Sequence, residues 1–400
     1  MLKIIIIVFL ATILLYLMHF VVINIGNLKT NKYEQKSKKK NFFAIVIAAR
    51  NEENVIENLI NSLKRQNYPK NKYEIYVITN NCNDDTAGVS KRAGAKVIEC
   101  KEKVKSKGEV LTYTFNKLND NKKIDAYVIF DADNVVDNNF LTEMNKTVNE
   151  GYNVSQGFRD VKNINDSWIS CSYAFLYYIE NLFINRARHK LNKSVFLNGT
   201  GVMITKKFID NYGYNPKTLT EDIELTAICA LKDETISFNE TAIFYDEQVA
   251  DFKTSLTQRK RWSFGTVECL KFYYKDLLKK LFKDRSYSCL DVLMFTMATF
   301  LHVLSGFTIL LIIINTILNF DTLNITKILV VTLILYIIGI LIRIYLLKKY
   351  NKSIKENIGG ILLFDLFVLS WVPINFICLF LDKCNWDSIK HNRNIKIEKT

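Results

Sequence analysis

The sequence is poor in the residues that characterise fibrous, zinc-bound and redox-motif proteins. Its 400 residues include only 3 Pro and 14 Gly, which excludes collagen-like and proline-rich architectures. The 4 His include no pair at zinc-binding spacing, and the 8 Cys include no Cys-x-x-Cys pair. We therefore expect ordinary buried thiols and no zinc site.

Long apolar runs are present instead, at residues 4–25, 303–320, 327–347 and 358–381. A helix that rises about 1.5 Å per residue needs roughly 20 residues to cross a bilayer. The sequence therefore predicts a membrane protein and excludes a purely soluble one. The net charge of +14 lies largely in clusters beside the apolar runs, which indicates membrane lipids rather than nucleic acid as the partner.

Positive charge predicts how the first run is oriented. An anchor at residues 1–28 is followed by a basic linker, 29–41, with six Lys and one Glu. This bias places the linker and the following domain in the cytoplasm. A cleaved signal peptide is the alternative, but the run is long and lacks a small-x-small cleavage site.

The later runs predict interfacial and transmembrane helices over residues 286–382, with a spanning helix that starts at about residue 303. The final run contains three residues that are costly in lipid: Asp365, Pro373 and Asn375. A kinked crossing and a position partly in the interface both remain open. The side of the membrane that holds the basic tail, residues 383–400, stays open with them.

Residues 42–285 form the one stretch large enough for a globular domain, and its first half alternates strand and helix patterns. The predicted strands are 42–49, 73–80, 95–100 and 125–130, with helices at 52–66 and 107–119. Such alternation predicts an α/β domain with a mostly parallel sheet and helices on both faces. Ligands bind beyond the carboxyl ends of such strands, so the loops after Ala49, Asn80 and Phe130 should converge.

Polar residues gather in these three loops. Arg50 and Glu52 follow the first strand, Asn80 ends the second, and Asp131 and Asp133 follow the fourth. An Asp-x-Asp pair alone is more often a loop cap. Its place after a buried strand, beside two further polar loops, favours a site where both carboxylates bind one hard cation such as Mg²⁺ and neutralise a pyrophosphate.

Three motifs follow downstream: Asn-Gly-Thr-Gly (198–201), Thr-Glu-Asp (220–222) and Gln-Arg-Lys-Arg-Trp (258–262). The glycines permit close approach of the backbone to a sugar. The second motif is either a capped helix start with acidic residues, or the place of a general base, Asp222. The third suits phosphate binding and sugar stacking, or a cationic face on anionic lipid with Trp262 at the head groups.

Together these motifs resemble family 2 inverting glycosyltransferases of the membrane-integrated kind, which include hyaluronan, poly-N-acetylglucosamine, chitin and cellulose synthases. The motifs, in family order, are Ala-Arg-Asn-Glu-Glu (49–53), Lys-Gly (107–108), Asp-Ala-Asp (131–133), Gly-Thr-Gly (199–201), Thr-Glu-Asp and Gln-Arg-Lys-Arg-Trp. Each is weak alone, but six in order over roughly residues 42–270 are specific. The resemblance implies a GT-A-type nucleotide-sugar-binding domain flanked by transmembrane helices.

The resemblance also implies a role for each matched residue. Asp222 would be the catalytic base that activates the acceptor hydroxyl. The nucleotide-sugar site would comprise Arg50, Glu52, Asn80, Lys107 and Asp131; the acceptor and pyrophosphate contacts Gly199, Thr200, Glu221, Gln258, Arg259, Arg261 and Trp262; and the site for Mg²⁺ or Mn²⁺ Asp131 and Asp133. Relatives commonly carry Asp where this chain has Asn80, so altered base or ribose contacts are expected, with Asp84 taking over part of that role.

The implied function is a membrane-bound, metal-dependent, inverting transfer of a sugar from a UDP-sugar to a growing β-linked polysaccharide. The Gln-x-x-Arg-Trp motif points to processive synthesis, although the few membrane segments would then need a homodimer or an accessory subunit to form a channel. The alternative is a non-processive enzyme that adds a single sugar to a membrane lipid acceptor. The Lys-, Asn- and Ile-rich composition is typical of a bacterium with an AT-rich genome. The apolar runs and the charge bias predict a multi-pass enzyme of the cell membrane with a cytoplasmic catalytic domain.

Overall fold

The computed structural model describes residues 2–29, 39–319 and 322–384. Most of the predicted basic linker and all of the predicted tail beyond residue 384 lie outside these residues. Within them the strands are β1 (Phe43–Ala49), β2 (Tyr73–Asn80), β3 (Lys96–Cys100), β4 (Ala126–Asp131), β5 (Val135–Val136), β6 (Val154–Val161), β7 (Val202–Thr205) and β8 (Ile236–Asp246).

Helices alternate with these strands and then continue alone to the carboxyl end of the described chain. They are α1 (Leu2–Asn24), α2 (Ile56–Lys64), α3 (Thr86–Arg92), α4 (Lys107–Leu118), α5 (Phe140–Asn149), α6 (Trp168–Ile179), α7 (Arg186–Lys190), α8 (Lys206–Tyr212), α9 (Glu221–Leu231), α10 (Phe252–Asp284), α11 (Tyr287–Thr296), α12 (Ala298–Leu318), α13 (Thr322–Lys349), α14 (Ile358–Leu369) and α15 (Trp371–Leu379). Short 3₁₀ turns lie at Ile25–Leu28, Lys70–Lys72 and Ile164–Asp166, and a π-helical turn, Glu180–Asn185, joins α6 to α7.

The strands form one sheet in the order β3-β2-β1-β4-β7-β6-β8-β5. The first four strands are mutually parallel, as their apolar sequences predicted. Strand β7 is antiparallel to both β4 and β6, whereas β6 and β8 are parallel, so the whole sheet is mixed. The α/β class with helices on both faces is confirmed.

Alternation along β1 divides the hydrophobic core between the two faces of the sheet. Phe43, Ile45 and Ile47 pack into one core, and Val46 packs into the other, where it meets residues of α4 and α6. Because successive side chains of a strand point to opposite faces, a run that is apolar throughout marks a strand covered on both sides. The last residues of this run lie at the carboxyl edge of the sheet.

Four helical segments among the described residues are long and apolar enough to cross a membrane: Leu2–Leu28, Ala298–Leu318, Ile325–Lys349 and Ile358–Leu379. The second of these helices begins five residues before the predicted start of the span at residue 303. The helix breaks at Met297, between α11 and α12, so the long apolar helix begins at Ala298 and includes His302. A single interruption of the helix, rather than the polarity of His302, sets this boundary.

Polar contacts attach α1, α11 and the end of α13 to the domain. Arg188 Nε donates to Asp291 Oδ2 at 2.7 Å, and His19 Nε2 lies 2.9 Å from Asp291 Oδ1, which ties α7 to α11 and α1. Lys352 Nζ, just beyond α13, donates to Asp160 Oδ2 at 3.0 Å. These contacts hold the domain ends of α1 and α13 beside the sheet.

The last apolar segment packs against the domain over its length. In α14, a Cβ on Gly360 would lie 2.3 Å from Cys171 Sγ, so only glycine permits the observed approach to α6. In α15, Cys378 Sγ donates to the carbonyl of Lys260 in α10 at 3.5 Å. Helices α14 and α15 therefore follow the domain surface from one end of the segment to the other.

Candidate active site

The three predicted polar loops do converge, because β1 lies between β2 and β4 in parallel register. Ala49 is opposite Thr79 on β2, and Ala48 is opposite Asp131 on β4. The loops border a cavity of about 470 Å³. Twelve predicted site residues line it: Arg50, Glu52, Asn80, Lys107, Asp131, Asp133, Gly199, Glu221, Asp222, Gln258, Arg261 and Trp262.

The β2 end of the cavity is built around Asn80, which is 2% exposed. Arg50 Nε donates to the Asn80 carbonyl at 3.3 Å, and its guanidinium also contacts the Asn80 side-chain oxygen. Asp84 does not line the cavity. Instead it accepts hydrogen bonds from Glu53 N at 3.1 Å and Thr86 N at 3.1 Å, which fixes the turn into α3. The expectation that Asp84 replaces the missing Asp charge is therefore not met, because its oxygens are engaged in the turn.

Lys107, the first residue of α4, connects three separate segments. Its ammonium pairs with Asp131, donates to the Gly199 carbonyl at 2.8 Å, and lies 3.6 Å from Glu221 Oε1. Burial opposes the charged form, but the carboxylates of Asp131 and Glu221 outweigh it and raise the pKa of Lys107. Lys107 therefore stays cationic inside the cavity.

Two carboxylates open α9 and face this ammonium. Burial raises the pKa of Glu221 to about 7, although Lys107 opposes the rise. Burial also raises the pKa of Asp222, against the hydrogen bond from Ile223 N to its Oδ1 at 2.8 Å. A carboxylate with a raised pKa is a stronger proton acceptor than one in water, which suits a general base.

Gly199 is the position where the backbone must approach these carboxylates. Its φ is +81°, and a Cβ there would lie 3.2 Å from Asp222 Oδ2. A side chain would thus be strained and would press on the carboxylate. Thr200 instead points away from the cavity: its buried hydroxyl accepts from Asp131 N at 3.0 Å and contacts Asn134. Thr200 therefore stabilises the Asp131 loop. Its side chain does not line the cavity, so the predicted contact between Thr200 and the acceptor or pyrophosphate is corrected.

The Asp133 side of the cavity is rich in oxygen ligands. Asn134 Nδ2 donates to Asp133 Oδ1 at 3.2 Å and to Asp246 Oδ1 at 2.7 Å, so the loop between β4 and β5 meets the end of β8 here. Carboxylate oxygens at one strand end are a donor set that fits Mg²⁺ or Mn²⁺ and does not fit softer metals. No group of three His, Cys, Asp or Glu that could hold a metal ion occurs in the described residues.

Helix α10 supplies the wall opposite the carboxylates through Gln258, Arg261 and Trp262. The Trp262 ring lies 5.8 Å from the ring of Tyr173, between ring centroids, and meets it edge-on. The position of the Arg259 side chain differs from the predicted one. Successive residues of a helix are rotated by about 100°, so Arg259 lies on a different face of α10 from Gln258.

Arg259 is fully buried against α14. Its Nη1 donates to the Phe367 carbonyl and to Ser370 Oγ, both at 2.9 Å, and its guanidinium lies 4.3 Å from the Phe367 ring centroid. It therefore attaches α10 to the last apolar segment and cannot cover a pyrophosphate.

The structure adds lining residues that the sequence analysis did not assign to the site: Arg159, Tyr177, Glu180, Asn198, Asp246, Glu247, His302, Trp371 and Asn375. Arg159 is paired with Asp246 and lies 4.0 Å from the Tyr177 ring centroid. Burial raises the pKa of Glu180 to about 7, with Arg159 opposing. For His302 and Asn375 a signal existed, since both are polar residues within apolar runs.

Comparisons with known proteins agree with this geometry. Residues 40–265 match the model of a family described as "Glycosyltransferase like family 2". Similar proteins include a β-monoglucosyldiacylglycerol synthase of Trichormus variabilis, 24% identical over 270 residues (65% of this chain, 56% of that protein). The probable glycosyltransferase YdaM of Bacillus subtilis is 24% identical over 284 residues (64% of this chain, 63% of that protein). The chain therefore spans 56–63% of the length of these relatives.

Among solved structures, a mannosyltransferase from Pyrobaculum calidifontis, PcManGT, in complex with GDP-Man and Mn²⁺, has a TM-score of 0.65 with this chain. The two are 13% identical, and the match covers 96% of this chain and 100% of the other. At this identity the likeness establishes the fold, which is GT-A-like with additional apolar helices at both ends.

Proposed function

The chain belongs to the family described as Glycosyltransferase like family 2, and from that premise we propose that it transfers one sugar from a UDP-sugar to a lipid acceptor at the membrane surface. The proposal is supported most directly by the shape of the cavity. One continuous space runs from Asp131 and Asp133, past Asp222 and Trp262, to residues of the membrane helices.

The depth of that space favours a lipid acceptor over a growing polymer. The deepest lining residue on α12 is His302, four residues from the start of the helix at Ala298, or about 6 Å along its axis. A translocation channel must cross about 30 Å of hydrocarbon. Within the described residues, none of α1, α13 or α14 lines the cavity, so its membrane end is bordered by α12 and α15 and suits a lipid that enters from the side.

The acceptor hydroxyl reacts beside Asp222 in this proposal. Asp222 takes the hydroxyl proton, the oxygen forms a bond to the anomeric carbon of the donor sugar, and the bond from that carbon to the diphosphate breaks. The electron pair leaves with the nucleoside diphosphate. Attack from the face opposite the leaving group inverts the anomeric configuration.

The leaving diphosphate carries negative charge that the site must neutralise. Lys107 and Arg261 line the cavity as cations, and Gln258 offers an amide on the same helix face as Arg261. A divalent cation, Mg²⁺ or Mn²⁺, held by Asp131 and Asp133 would neutralise the diphosphate when bound. PcManGT was solved with Mn²⁺ and a nucleotide sugar, which supports this assignment.

Contacts of the apolar segments support a topology for the proposed enzyme. Helices α1, α12 and α13 cross the membrane, whereas α14 and α15 lie in the interface against the domain. Three crossings place the catalytic domain, the basic linker and the basic tail in the cytoplasm, in line with the Lys residues after α1 and α13. Addition of a single sugar requires no closed channel and therefore neither a homodimer nor an accessory subunit.

Processive synthesis of a β-linked polysaccharide is the second candidate, because Trp262 of the Gln-x-x-Arg-Trp motif lines the cavity as an acceptor platform would. Product analysis separates the two. The purified protein in liposomes is given radiolabelled UDP-sugars with Mg²⁺ or Mn²⁺, and products are divided between organic extract and gel. A single glycolipid supports the proposal, whereas a ladder of water-soluble polymers contradicts it.

A further inference from the structure

The floor of the cavity is built by residues outside the part of the chain that matches the family. Thr299 and His302 come from α12, and Trp371 and Asn375 come from α15. All four carry polar hydrogen-bonding groups at the point where the domain meets the membrane. Polar side chains in such a position are costly unless they are paired or bind a ligand.

Three hydrogen bonds join α15 to its neighbours, two of them to α10 and one to α12. Trp371 Nε1 donates to Ser263 Oγ at 2.8 Å, and Ser263 Oγ donates to Asn375 Oδ1 at 2.6 Å. Asn375 Nδ2 then lies 3.1 Å from His302 Nδ1. We call Trp371, Ser263, Asn375 and His302 the floor chain.

The donor-to-acceptor direction of the hydrogen bonds in the floor chain follows from its first member, Trp371. An indole N–H can only donate, so Ser263 must accept from Trp371 and pass its own proton toward Asn375. The amide nitrogen of Asn375 therefore faces His302 and donates to Nδ1. With Nδ1 as acceptor, the neutral imidazole carries its proton on Nε2, so the donor of this cavity-lining side chain is Nε2.

The surroundings of this donor limit what it binds. The floor residues Thr299, His302, Trp371 and Asn375 are uncharged, and the indoles of Trp262 and Trp371 lie 6.4 Å apart, between ring centroids, at 34°. Two indoles beside neutral hydrogen-bonding groups suit a hydroxylated head group, since indole faces stack on sugars and glycerol carbons. A phosphate would instead require cations, which this floor lacks.

We propose that the floor chain is the head-group subsite of the acceptor, that the acceptor is a neutral, hydroxyl-bearing lipid of the diacylglycerol or neutral glycolipid class, and that His302 Nε2 donates to an oxygen of its head group. The proposal rests on the function proposed above. His302 acts here as a specificity-determining residue.

The test measures binding separately from transfer. A diacylglycerol that carries a diazirine is photocrosslinked to the reconstituted full-length protein, and competitors are unlabelled diacylglycerol or phosphatidylglycerol. The variants are His302→Leu, His302→Gln, which keeps a donor, and Asn315→Leu, a matched control on α12 that does not line the cavity. Transfer of sugar to lipid is assayed on the same samples.

The subsite is supported if crosslinks fall on peptides of α12 or α15 and neutral lipid competes. In His302→Leu the crosslinking yield should then fall, and the KM for lipid should rise, each by about tenfold, the factor for one lost hydrogen bond. Both quantities should change little in the two other variants. Equal crosslinking in His302→Leu, or competition by phosphatidylglycerol alone, overturns it.

The remaining outcomes separate this inference from the function on which it rests. Crosslinking that depends on His302 without glycosylation of any lipid would contradict the proposed transfer and retain the subsite. Glycosylation of lipid with an unchanged KM in His302→Leu would retain the transfer and overturn the subsite.

Discussion

Asp222→Asn is the substitution that most sharply separates chemistry from binding. The amide has nearly the same shape as the carboxylate, so the contact with Ile223 N and the packing against Gly199 are retained. What is lost is the ability to accept a proton. General-base catalysis typically contributes a factor of 10²–10⁴, so we expect kcat to fall by about that factor.

The assay is release of UDP by the reconstituted enzyme with donor and lipid, paired with titration of UDP binding. We expect the Kd for UDP to change less than threefold, or about 0.6 kcal/mol. Asp210→Asn is the matched control, because that carboxylate is exposed on α8 and lies outside the cavity. Loss of UDP binding in Asp222→Asn, or transfer that stays within tenfold of wild type, would refute the role as base.

The same carboxylate sets an expected pH dependence. Because burial raises the pKa of Asp222, the basic form is lost as pH falls through a value higher than the usual one, about 3.9. Transfer should therefore decline on the acid side at a less acid pH than an ordinary Asp would give. The residual activity of Asp222→Asn should lack this limb, and a limb that persists would assign the titration to another group.

Three further results are expected. Gly199→Ala should lower kcat at least tenfold, because the added Cβ would press on Asp222. Gly151→Ala, at a similar φ of +97° but with no atom within 4 Å of the added Cβ, should only lower the melting temperature. Equal kcat values in the two variants would count against the close approach of Gly199 to Asp222. Trp262→Ala should raise the KM for acceptor more than that for donor, and equal loss of both would argue against stacking. In a Cys82→Ala background, an impermeant maleimide should label Cys384 only from the side of the membrane that holds the catalytic domain. Labelling from the other side would mean that the chain crosses the membrane once more.

Local patterns predicted the half of the site that lies on parallel strands. Apolar runs that end in Arg50, Asn80 and Asp131 mark buried strands, and parallel strands bring their carboxyl ends together. Asp246 was not predicted because its place beside Asn134 depends on the antiparallel pairing of β8 with the two-residue strand β5, which has no local signature.

Helical periodicity would have placed Arg259 and Arg261 on different faces of α10, had a helix been predicted through the Gln-Arg-Lys-Arg-Trp motif. Arg261 and Trp262 share a face with Gln258, and Arg259 does not. The floor of the cavity was less accessible to such reasoning. His302 and Asn375 stand out as polar residues in apolar runs, but only tertiary packing places them 3.1 Å apart.

The central claim is that one cavity joins a nucleotide-sugar site to a membrane lipid, and product stoichiometry tests it most directly. UDP release and glycolipid formation are measured together in liposomes that contain diacylglycerol, with and without EDTA. The account predicts one UDP per glycolipid, an inverted anomeric configuration, and loss of both products in EDTA. Several UDP released per acceptor with a lengthening glycan, or release with no lipid product for any donor, would contradict it.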